Sequence, residues 1–279
     1  MGSARVTIAH LRRMARTDQK ITMLTAYDYP MARLVDRAGV EIVLIGDSLA
    51  MVVLGHETTT AVTMDQMIHH ATAVRRGVRR ALVIGDMPYG SFQRGARLAI
   101  RNARRFVREA GCDGVKIEWT QGIERTAAAM VKAGVPVMGH VGLTPQTAVA
   151  FKVQGKDAAS AEQIFRSAVA LERAGCFAIV LECIPAPLAA LITRRLHIPT
   201  IGIGAGPHCD GQVLVTYDLI GLFDRFTPTF VKRYADVSTA ITTALQRFRR
   251  DVQAGAFPSA AQSFSMSDEE LQQLVRSDA

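Results

Sequence analysis

The sequence predicts an α/β protein: a single (βα)8 TIM barrel with an N-terminal helix before it and a C-terminal helix plus tail after it. Short β-branched segments alternate with longer segments of helical period, as in βα units around a parallel sheet. Eight strand-like segments occur at intervals of about 30 residues, the length of one strand, one crossover helix and two short loops. A chain of 279 residues with 49% hydrophobic content can bury the core of one such domain.

The predicted strands are short apolar runs bounded by glycine or polar residues. They are Thr22–Tyr27, Ile42–Gly46, Ala81–Gly85, Gly114–Glu118, Val135–Gly139, Ala178–Glu182, Thr200–Ile203 and Phe230–Tyr234. Capping signals predict helices between them. Thr63 precedes one amphipathic segment, and Ser160 with Gln163 forms a capping box before another. A last helix is expected over Ser238–Arg250.

Residues 1–20 and 255–279 flank the predicted barrel domain, 21–254. Ile8 and Leu11 have helical spacing, which predicts a short packing helix in the N-terminal segment. That segment lacks the apolar stretch and cleavage site of a secretory signal. The composition of the C-terminal segment predicts a polar tail.

The positive net charge does not by itself predict a nucleic-acid partner. Lys and Arg number 33 against 25 Asp and Glu, a formal charge of +8, which favours anionic partners in general. One group of arginines recurs at spacings of three and four, typical of a solvated helix face. They are Arg94, Arg97, Arg101, Arg104, Arg105 and Arg108. Aromatic residues are not interleaved with them, so we expect no nucleic-acid site.

Cysteine usage and hydropathy predict a cytoplasmic protein without a membrane partner. The cysteines are Cys112, Cys176, Cys183 and Cys209. They form no CxxC pair and lie in or beside apolar segments, which predicts reduced, buried thiols. Asp47 and Glu182 interrupt the two most hydrophobic stretches, so no uncharged run approaches the roughly 18 residues of a membrane span.

Acidic side chains stand at the ends of the predicted strands. Asp47 and Asp86 follow strands two and three, Glu118 and Glu182 end strands four and six, and Lys116 lies within strand four. In a parallel barrel these ends share the face on which active sites are built. Burying several like charges together is costly without a cation. Carboxylate and water ligands indicate Mg²⁺ or Mn²⁺.

Two segments keep alternative interpretations open. His140 directly follows predicted strand five, where it either orients a substrate or is a structural imidazole. The segment Gly202–Gly206 is similar to a phosphate-binding loop. It lacks the GxGxxG spacing and the following helix of a dinucleotide site. A glycine-rich loop that permits close substrate approach is therefore favoured.

Seven segments carry a family resemblance. They are Thr25–Asp28, Gly46–Ser48, Asp86–Phe92, Val115–Glu118, Gly139–Gln146, Leu181–Pro185 and Ile201–Gln212. Their residues and order resemble the ketopantoate hydroxymethyltransferase (3-methyl-2-oxobutanoate hydroxymethyltransferase) family over about residues 7–264. The resemblance implies a Mg²⁺-dependent enzyme of pantothenate biosynthesis. It would transfer a one-carbon unit from 5,10-methylenetetrahydrofolate to 3-methyl-2-oxobutanoate, giving 2-dehydropantoate.

The resemblance also implies roles for residues. The carboxylates expected at the metal are Asp47, Asp86 and Glu118. The residues expected to contact the oxo acid are Asp47, Ser48, Asp86 and Lys116. Glu182 is expected to act as the base, and the assembly is expected to be a homo-oligomer.

The chain departs from the family's usual pattern around the site. Trp119-Thr120 stands where Gly-Gly is usual, the loop after Gln146 is shorter, and Tyr217 and Thr229 replace a usual His and Lys. The Trp119 indole could narrow the oxo-acid pocket, offer the pterin a stacking surface, or pack outward between helices.

These departures leave three further functions open. The chain could be a paralogue for another 2-oxo acid, or a carbon–carbon lyase of the phosphoenolpyruvate-mutase or isocitrate-lyase type, although the Lys-Lys-Cys-Gly-His segment of those lyases is absent. The third possibility is a non-catalytic metabolite-binding paralogue.

Overall fold

The computed structural model describes residues 4–148 and 151–277 and confirms the predicted barrel. Eight parallel strands close in sequence order, and the last strand pairs with the first. The strands are β1 (Ile21–Thr25), β2 (Ile42–Ile45), β3 (Leu82–Asp86), β4 (Gly114–Glu118), β5 (Val137–Gly142), β6 (Ala178–Glu182), β7 (Thr200–Ile203) and β8 (Gly211–Leu214). The first seven overlap their predicted positions.

The helices follow the strands in the expected alternation, apart from the β7–β8 connection. They are α1 (Ile8–Arg16), α2 (Tyr29–Arg37), α3 (Leu49–Val52), α4 (Met64–Gly77), α5 (Ala96–Arg108), α6 (Ile123–Lys132), α7 (Ala158–Arg173), α8 (Ala186–Arg195), α9 (Thr216–Leu219), α10 (Val237–Gln253) and α11 (Asp268–Ser277).

The prediction of the eighth strand was wrong. Residues 230–234 form no strand, and Phe230 and Tyr234 are exposed. The barrel closes instead through β8, which follows β7 after a loop at 204–210 that contains no helix. A side chain at Gly211 would collide with the Ile21 carbonyl of β1, so glycine permits the close approach of these strands. The regular spacing of the repeats breaks down here because the last repeat lacks its crossover helix.

Strand side chains alternate between two apolar layers. The barrel interior contains residues such as Ile42, Leu44 and Ile84, whereas Val43 and Val83 pack outward against the helices. This alternation follows from the two-residue period of a β-strand. Polar side chains that continue an inward row beyond the apolar interior must therefore project into the barrel mouth.

Helix α1 confirms the predicted N-terminal packing helix. Thr7 caps it by accepting a hydrogen bond from the His10 amide at 3.2 Å. Leu11 and Met14 are buried in the same apolar cluster as the interior strand residues. The apolar face of α1 therefore contributes to the core of the barrel interior.

The capping predictions were right for α4 and wrong for α7. Thr63 and Gln66 form a reciprocal capping box at α4. The N-cap of α7 is Asp157, whose carboxylate accepts from the Ser160 amide at 2.9 Å. Ser160 therefore lies within the first turn, because a carboxylate three residues earlier takes the capping position.

The predicted C-terminal helix is α10, which is slightly longer than expected. None of its residues is buried, and one face exposes Ile241, Leu245, Phe248 and Val252. The predicted polar tail contains the exposed helix α11. Among the helices of 4–148 and 151–277, none combines the length and apolar character needed to cross a membrane.

The cysteine prediction is confirmed. All four cysteines are free and buried. Burial raises the pKa of the thiols, to about 11 for Cys209 and to about 12 for the other three. At neutral pH these thiols are protonated and behave as small apolar side chains.

Candidate active site

Six ionisable side chains meet at the C-terminal mouth of the barrel. Asp47 lies two residues beyond β2, Asp86 ends β3, Lys116 and Glu118 belong to β4, His140 belongs to β5, and Glu182 ends β6. All are buried except Glu182, whose side chain keeps 17% of its exposure. Asp86, for example, continues the inward row of Ile84. The predicted site residues are therefore gathered at one mouth.

Lys116 and Asp86 form a buried ion pair at the centre of this group. The strand register sets the two residues side by side, with Nζ and Oδ1 separated by 2.8 Å. Burial lowers the pKa of the Lys116 ammonium, but the Asp86, Glu118 and Asp47 carboxylates raise it more, so the net pKa lies above its usual value. Lys116 is therefore charged.

The carboxylates outnumber this one ammonium. Burial raises the pKa of Asp86; Lys116 opposes the shift and Asp47 reinforces it. Burial and the neighbouring Asp47 charge also hold the pKa of Glu118 well above its usual value. Asp86 Oδ1, a buried atom, faces the Lys116 ammonium at 2.8 Å. The cluster is thus short of positive charge.

His140 lies between two of the acids. Its Nδ1 is 3.3 Å from Lys116 Nζ and 3.6 Å from Glu118 Oε1, and its Nε2 is 3.2 Å from Glu182 Oε2. Burial and then the Lys116 charge lower the pKa of the imidazole, so the ring is neutral. An ammonium can only donate, so we assign Nδ1 as the acceptor and place the ring proton on Nε2, facing Glu182.

Ser48 is held beside this group by a tyrosine. Its Oγ lies 2.8 Å from the hydroxyl of Tyr27, a buried residue that follows β1. Burial raises the pKa of Tyr27, so its hydroxyl keeps its proton. The Ser48 hydroxyl is therefore anchored at the edge of the acid cluster.

Gln146 is a buried site residue to which the sequence patterns assign no role. Its side-chain amide donates to Asp47 Oδ2 and to the Met87 carbonyl, each at 2.9 Å. Its backbone amide donates to Glu118 Oε2 at 3.0 Å. The only sequence signal is a polar residue in the Thr-Pro-Gln turn that follows a strand end.

Trp119 belongs to the outer layer. Glu118 points inward, and the next residue turns to the helix side, where the indole is half-buried against the outer apolar cluster. Of the three interpretations of Trp119, outward packing agrees with the structure. The shortened loop after Gln146 falls partly on residues 149–150, outside the described residues.

The donor set fits a hard divalent cation bound by few protein ligands. In the described part of the chain, no three His, Cys, Asp or Glu side chains gather tightly enough to hold a metal by themselves. Asp47 and Asp86 are nonetheless adjacent, because the Asp47 amide donates to Asp86 Oδ2 at 3.2 Å. Mg²⁺ is commonly held by one or two carboxylates and completes its shell with water or substrate oxygens.

Comparisons with known proteins identify one family. The family model described as ketopantoate hydroxymethyltransferase matches residues 5–260. A 3-methyl-2-oxobutanoate hydroxymethyltransferase of Heliobacterium modesticaldum is 52% identical over 268 residues, covering 95% of this chain and 97% of the relative. The protein of that name from Moorella thermoacetica is 53% identical over 264 residues, covering 94% and 98% of the two chains.

Solved structures of lower identity share the fold. A phosphonopyruvate hydrolase, solved in complex with oxalate and Mg²⁺, matches with a TM-score of 0.61 and 15% identity, covering 98% of this chain and 97% of its own. A 2,3-dimethylmalate lyase, a member of the PEP mutase/isocitrate lyase superfamily, matches with a TM-score of 0.61 and 16% identity, covering 98% and 100%. At these identities the similarity supports the barrel alone.

Removing the buried ammonium should destabilise the metal-free protein in a pH-dependent way. In Lys116→Met the acids lose the ammonium that faces them, which should cost about 3–5 kcal/mol at pH 8. Where folding raises the pKa of an acid, the free energy of unfolding of the protein falls as pH rises from the unfolded-state pKa to the folded-state pKa. The loss should therefore be smaller at pH 5.5.

The measurement is the Tm of wild type and Lys116→Met in EDTA between pH 5.5 and 8. The exposed Lys152→Met variant is the control and should follow the wild type. An equal Tm difference at both ends of the pH range would contradict the proposed charge imbalance.

Proposed function

The chain belongs to the ketopantoate hydroxymethyltransferase family, and we propose that it transfers a hydroxymethyl unit from 5,10-methylenetetrahydrofolate to 3-methyl-2-oxobutanoate. The product would be 2-dehydropantoate, in pantothenate biosynthesis. Family membership makes the protein an enzyme. The observation that carries the proposal is the barrel mouth, where excess carboxylates, one ammonium and a less buried glutamate meet.

The proposed oxo-acid site has an electrostatic requirement. Asp47 and Asp86 would repel a 2-oxo acid anion if they faced it alone. We propose that Asp47 and Asp86 would hold Mg²⁺, with Mn²⁺ as an alternative and with Glu118 as the third carboxylate. When bound, the cation draws electron density from the oxo acid and stabilises its enolate.

Lys116 and Ser48 complete the proposed substrate contacts. The Lys116 ammonium adds a fixed positive charge that favours the anionic substrate and the negative charge that develops during the reaction. The Ser48 hydroxyl, held by Tyr27, can rotate to donate to a substrate oxygen. Asp47 and Asp86 would meet the same substrate on the metal side.

Glu182 is the proposed base. It is the least buried of the four acids, so it can face a substrate that enters from the mouth. The neutral His140 lies beside Glu182, with Nε2 3.2 Å from Oε2, and adds no positive charge next to the carboxylate. Glu182 would accept the C3 proton. Water would release the methylene unit from folate as formaldehyde, with tetrahydrofolate leaving, and C3 would add to the formaldehyde carbon while its oxygen takes up a proton to become the product hydroxyl. Water supplies the hydroxyl oxygen of the product, and no covalent enzyme intermediate is needed.

A cytoplasmic location is part of the proposal, since four free buried thiols are expected in a reducing compartment.

The competing functions differ from the proposed one in what they require. A lyase would cleave a carbon–carbon bond without folate, and a paralogue for another 2-oxo acid would prefer a different acceptor. Family membership disfavours metabolite binding without catalysis.

Folate-dependent product formation tests the proposed reaction. Exchange of the C3 proton tests the role of Glu182 as the base separately from metal and substrate binding. Wild type should form 2-dehydropantoate and exchange the C3 proton of the oxo acid with D₂O. Glu182→Gln should still bind metal and oxo acid but lose about 10²- to 10⁴-fold in exchange. Glu162→Gln, at an exposed glutamate, is the matched control. Exchange at the wild-type rate in Glu182→Gln would reassign the base, with His140 the next candidate.

The metal assignment has a separate test. Titration of Mg²⁺ in the presence of oxo acid should show binding in wild type and its collapse in Asp47→Ala and Asp86→Ala, because each removes a carboxylate of the same site. Asp65→Ala, on the exposed first turn of α4, should bind as wild type does. Unchanged Mg²⁺ affinity in both Asp47→Ala and Asp86→Ala would contradict the assignment of these residues as metal ligands.

A homo-oligomer is also proposed, with a second copy of the chain covering α10. Its exposed apolar face consists of Ile241, Leu245, Phe248 and Val252, at helical spacing on a helix without a buried residue. Four large apolar side chains in one contiguous stripe are typical of an interface between subunits.

The proposed assembly predicts that a charge on this stripe lowers the oligomeric mass. Leu245→Glu should produce smaller species in analytical ultracentrifugation, because burying an unpaired carboxylate in an apolar contact is unfavourable. Thr243→Glu, on the opposite side of α10, should leave the mass unchanged. A wild-type monomer, or an unaltered mass in Leu245→Glu, would contradict the proposal.

A further inference from the structure

Gln146 connects three loops at the mouth of the barrel, those after β2, β3 and β5, and the end of β4. It lies in the segment after β5, and its contacts reach Asp47 beyond β2, Met87 beyond β3 and Glu118 at the end of β4. Its Oε1 also accepts a hydrogen bond from Gln93 Nε2 at 3.1 Å. Gln146 is 5% exposed, and three of the four hydrogen-bonding positions of its side chain are used.

These contacts fix the orientation of the amide. The Met87 carbonyl can only accept, so the nitrogen of the side chain must face it and, with its second proton, Asp47 Oδ2. A turn holds the backbone: Thr147 and Ala148 both donate to the Thr144 carbonyl, at 3.0 and 2.9 Å. Pro145 restricts φ within that turn. Gln146 is therefore presented to the site by a preorganised segment.

As a result, one oxygen of the Asp47 carboxylate and one oxygen of the Glu118 carboxylate accept a hydrogen bond from Gln146. Gln146 occupies Asp47 Oδ2 with its side chain and Glu118 Oε2 with its backbone amide. In the described residues, side-chain hydrogen bonds to Asp47 Oδ1 are absent, so that oxygen remains free for a cation. Donors that hold ligating carboxylates orient them and raise metal affinity.

We propose that Gln146 is a positioning residue that orients Asp47 and Glu118 for the metal and couples the 143–148 segment to metal binding. The inference rests on the proposed function, because it assumes a cation that Asp47 and Asp86 would hold. Thermodynamic linkage makes the coupling reciprocal: a segment that increases metal affinity is itself ordered by the metal to the same extent.

The test uses binding and exchange as readouts, in the full-length protein. Gln146→Met keeps the unbranched shape of the side chain but removes its hydrogen bonds to Asp47, Met87 and Gln93, while the backbone hydrogen bond to Glu118 stays. Free Mn²⁺, followed by EPR with 3-methyl-2-oxobutanoate present, should give a Kd about 10- to 100-fold weaker than wild type. Gln93→Met removes the neighbouring amide but leaves both donors to the acids, so its Mn²⁺ affinity should match wild type.

Hydrogen exchange supplies the second readout. Mg²⁺ with oxo acid should slow exchange of the Gln146, Thr147 and Ala148 amides in wild type and in Gln93→Met, with a much smaller effect in Gln146→Met. A residue that only supports folding would lower the Tm of Gln146→Met without altering the metal affinity of the folded protein.

Each remaining outcome decides the proposal. Wild-type Mn²⁺ affinity in folded Gln146→Met would overturn it while leaving the proposed function intact. A wild-type protein that binds no Mn²⁺ would overturn both. If Gln146→Met fails to fold, Gln146→Asn, whose amide is too short to reach Asp47, replaces it. Failure of both variants to fold would make Gln146 a folding residue and also overturn the proposal.

Discussion

The buried ion pair between Lys116 and Asp86 is the interaction around which the site is organised. Neighbouring strands set the ammonium and carboxylate side by side at 2.8 Å, at a depth where neither charge is well hydrated. Further acids face the same ammonium, so the positive charge is shared and the cluster remains negative. A buried cluster of this kind is tolerated where a cation can complete it. The proposed metal would neutralise the excess of carboxylates over the Lys116 ammonium, and that excess follows from the residues of the chain.

The barrel makes this arrangement possible because the register of neighbouring strands brings their inward-pointing side chains close together at the mouth. Alternate residues of β3, β4, β5 and β6 point into one interior, apolar in its lower layers and ionisable at the mouth. Their neighbours in sequence point outward and pack against helices, as Trp119 does directly after Glu118. The chemistry of the site and the stability of the outer layer are thus carried by adjacent residues with opposite orientations.

Residues in the loops orient the carboxylates that the strands bring to the mouth. His140 lies beside Glu182 within the sheet, whereas Gln146 donates hydrogen bonds to Asp47 and Glu118 from a turn beyond β5. A strand sets the position of a carboxylate carbon, but the rotation of its oxygens depends on the donors that surround it. Those donors come from a segment that leaves the sheet, so the geometry of the site depends on loop conformation as well as on the barrel.

The sequence by itself determined the fold class, seven of the eight strands and the acids of the mouth. These features are readable because strand period, capping and the polar residue at a strand end are local patterns within a short window. The family motifs further pointed to Ser48, Lys116 and Glu182 as site residues, although their catalytic roles remain proposals. The tertiary structure decided the position of β8, the outward packing of Trp119 and the contacts of Gln146. Each of these depends on atoms distant in sequence: Gly211 against Ile21 closes the barrel, and Gln146 meets a carboxylate 99 residues earlier. Such approaches are set by barrel closure and by the course of the loops, and no local pattern records them.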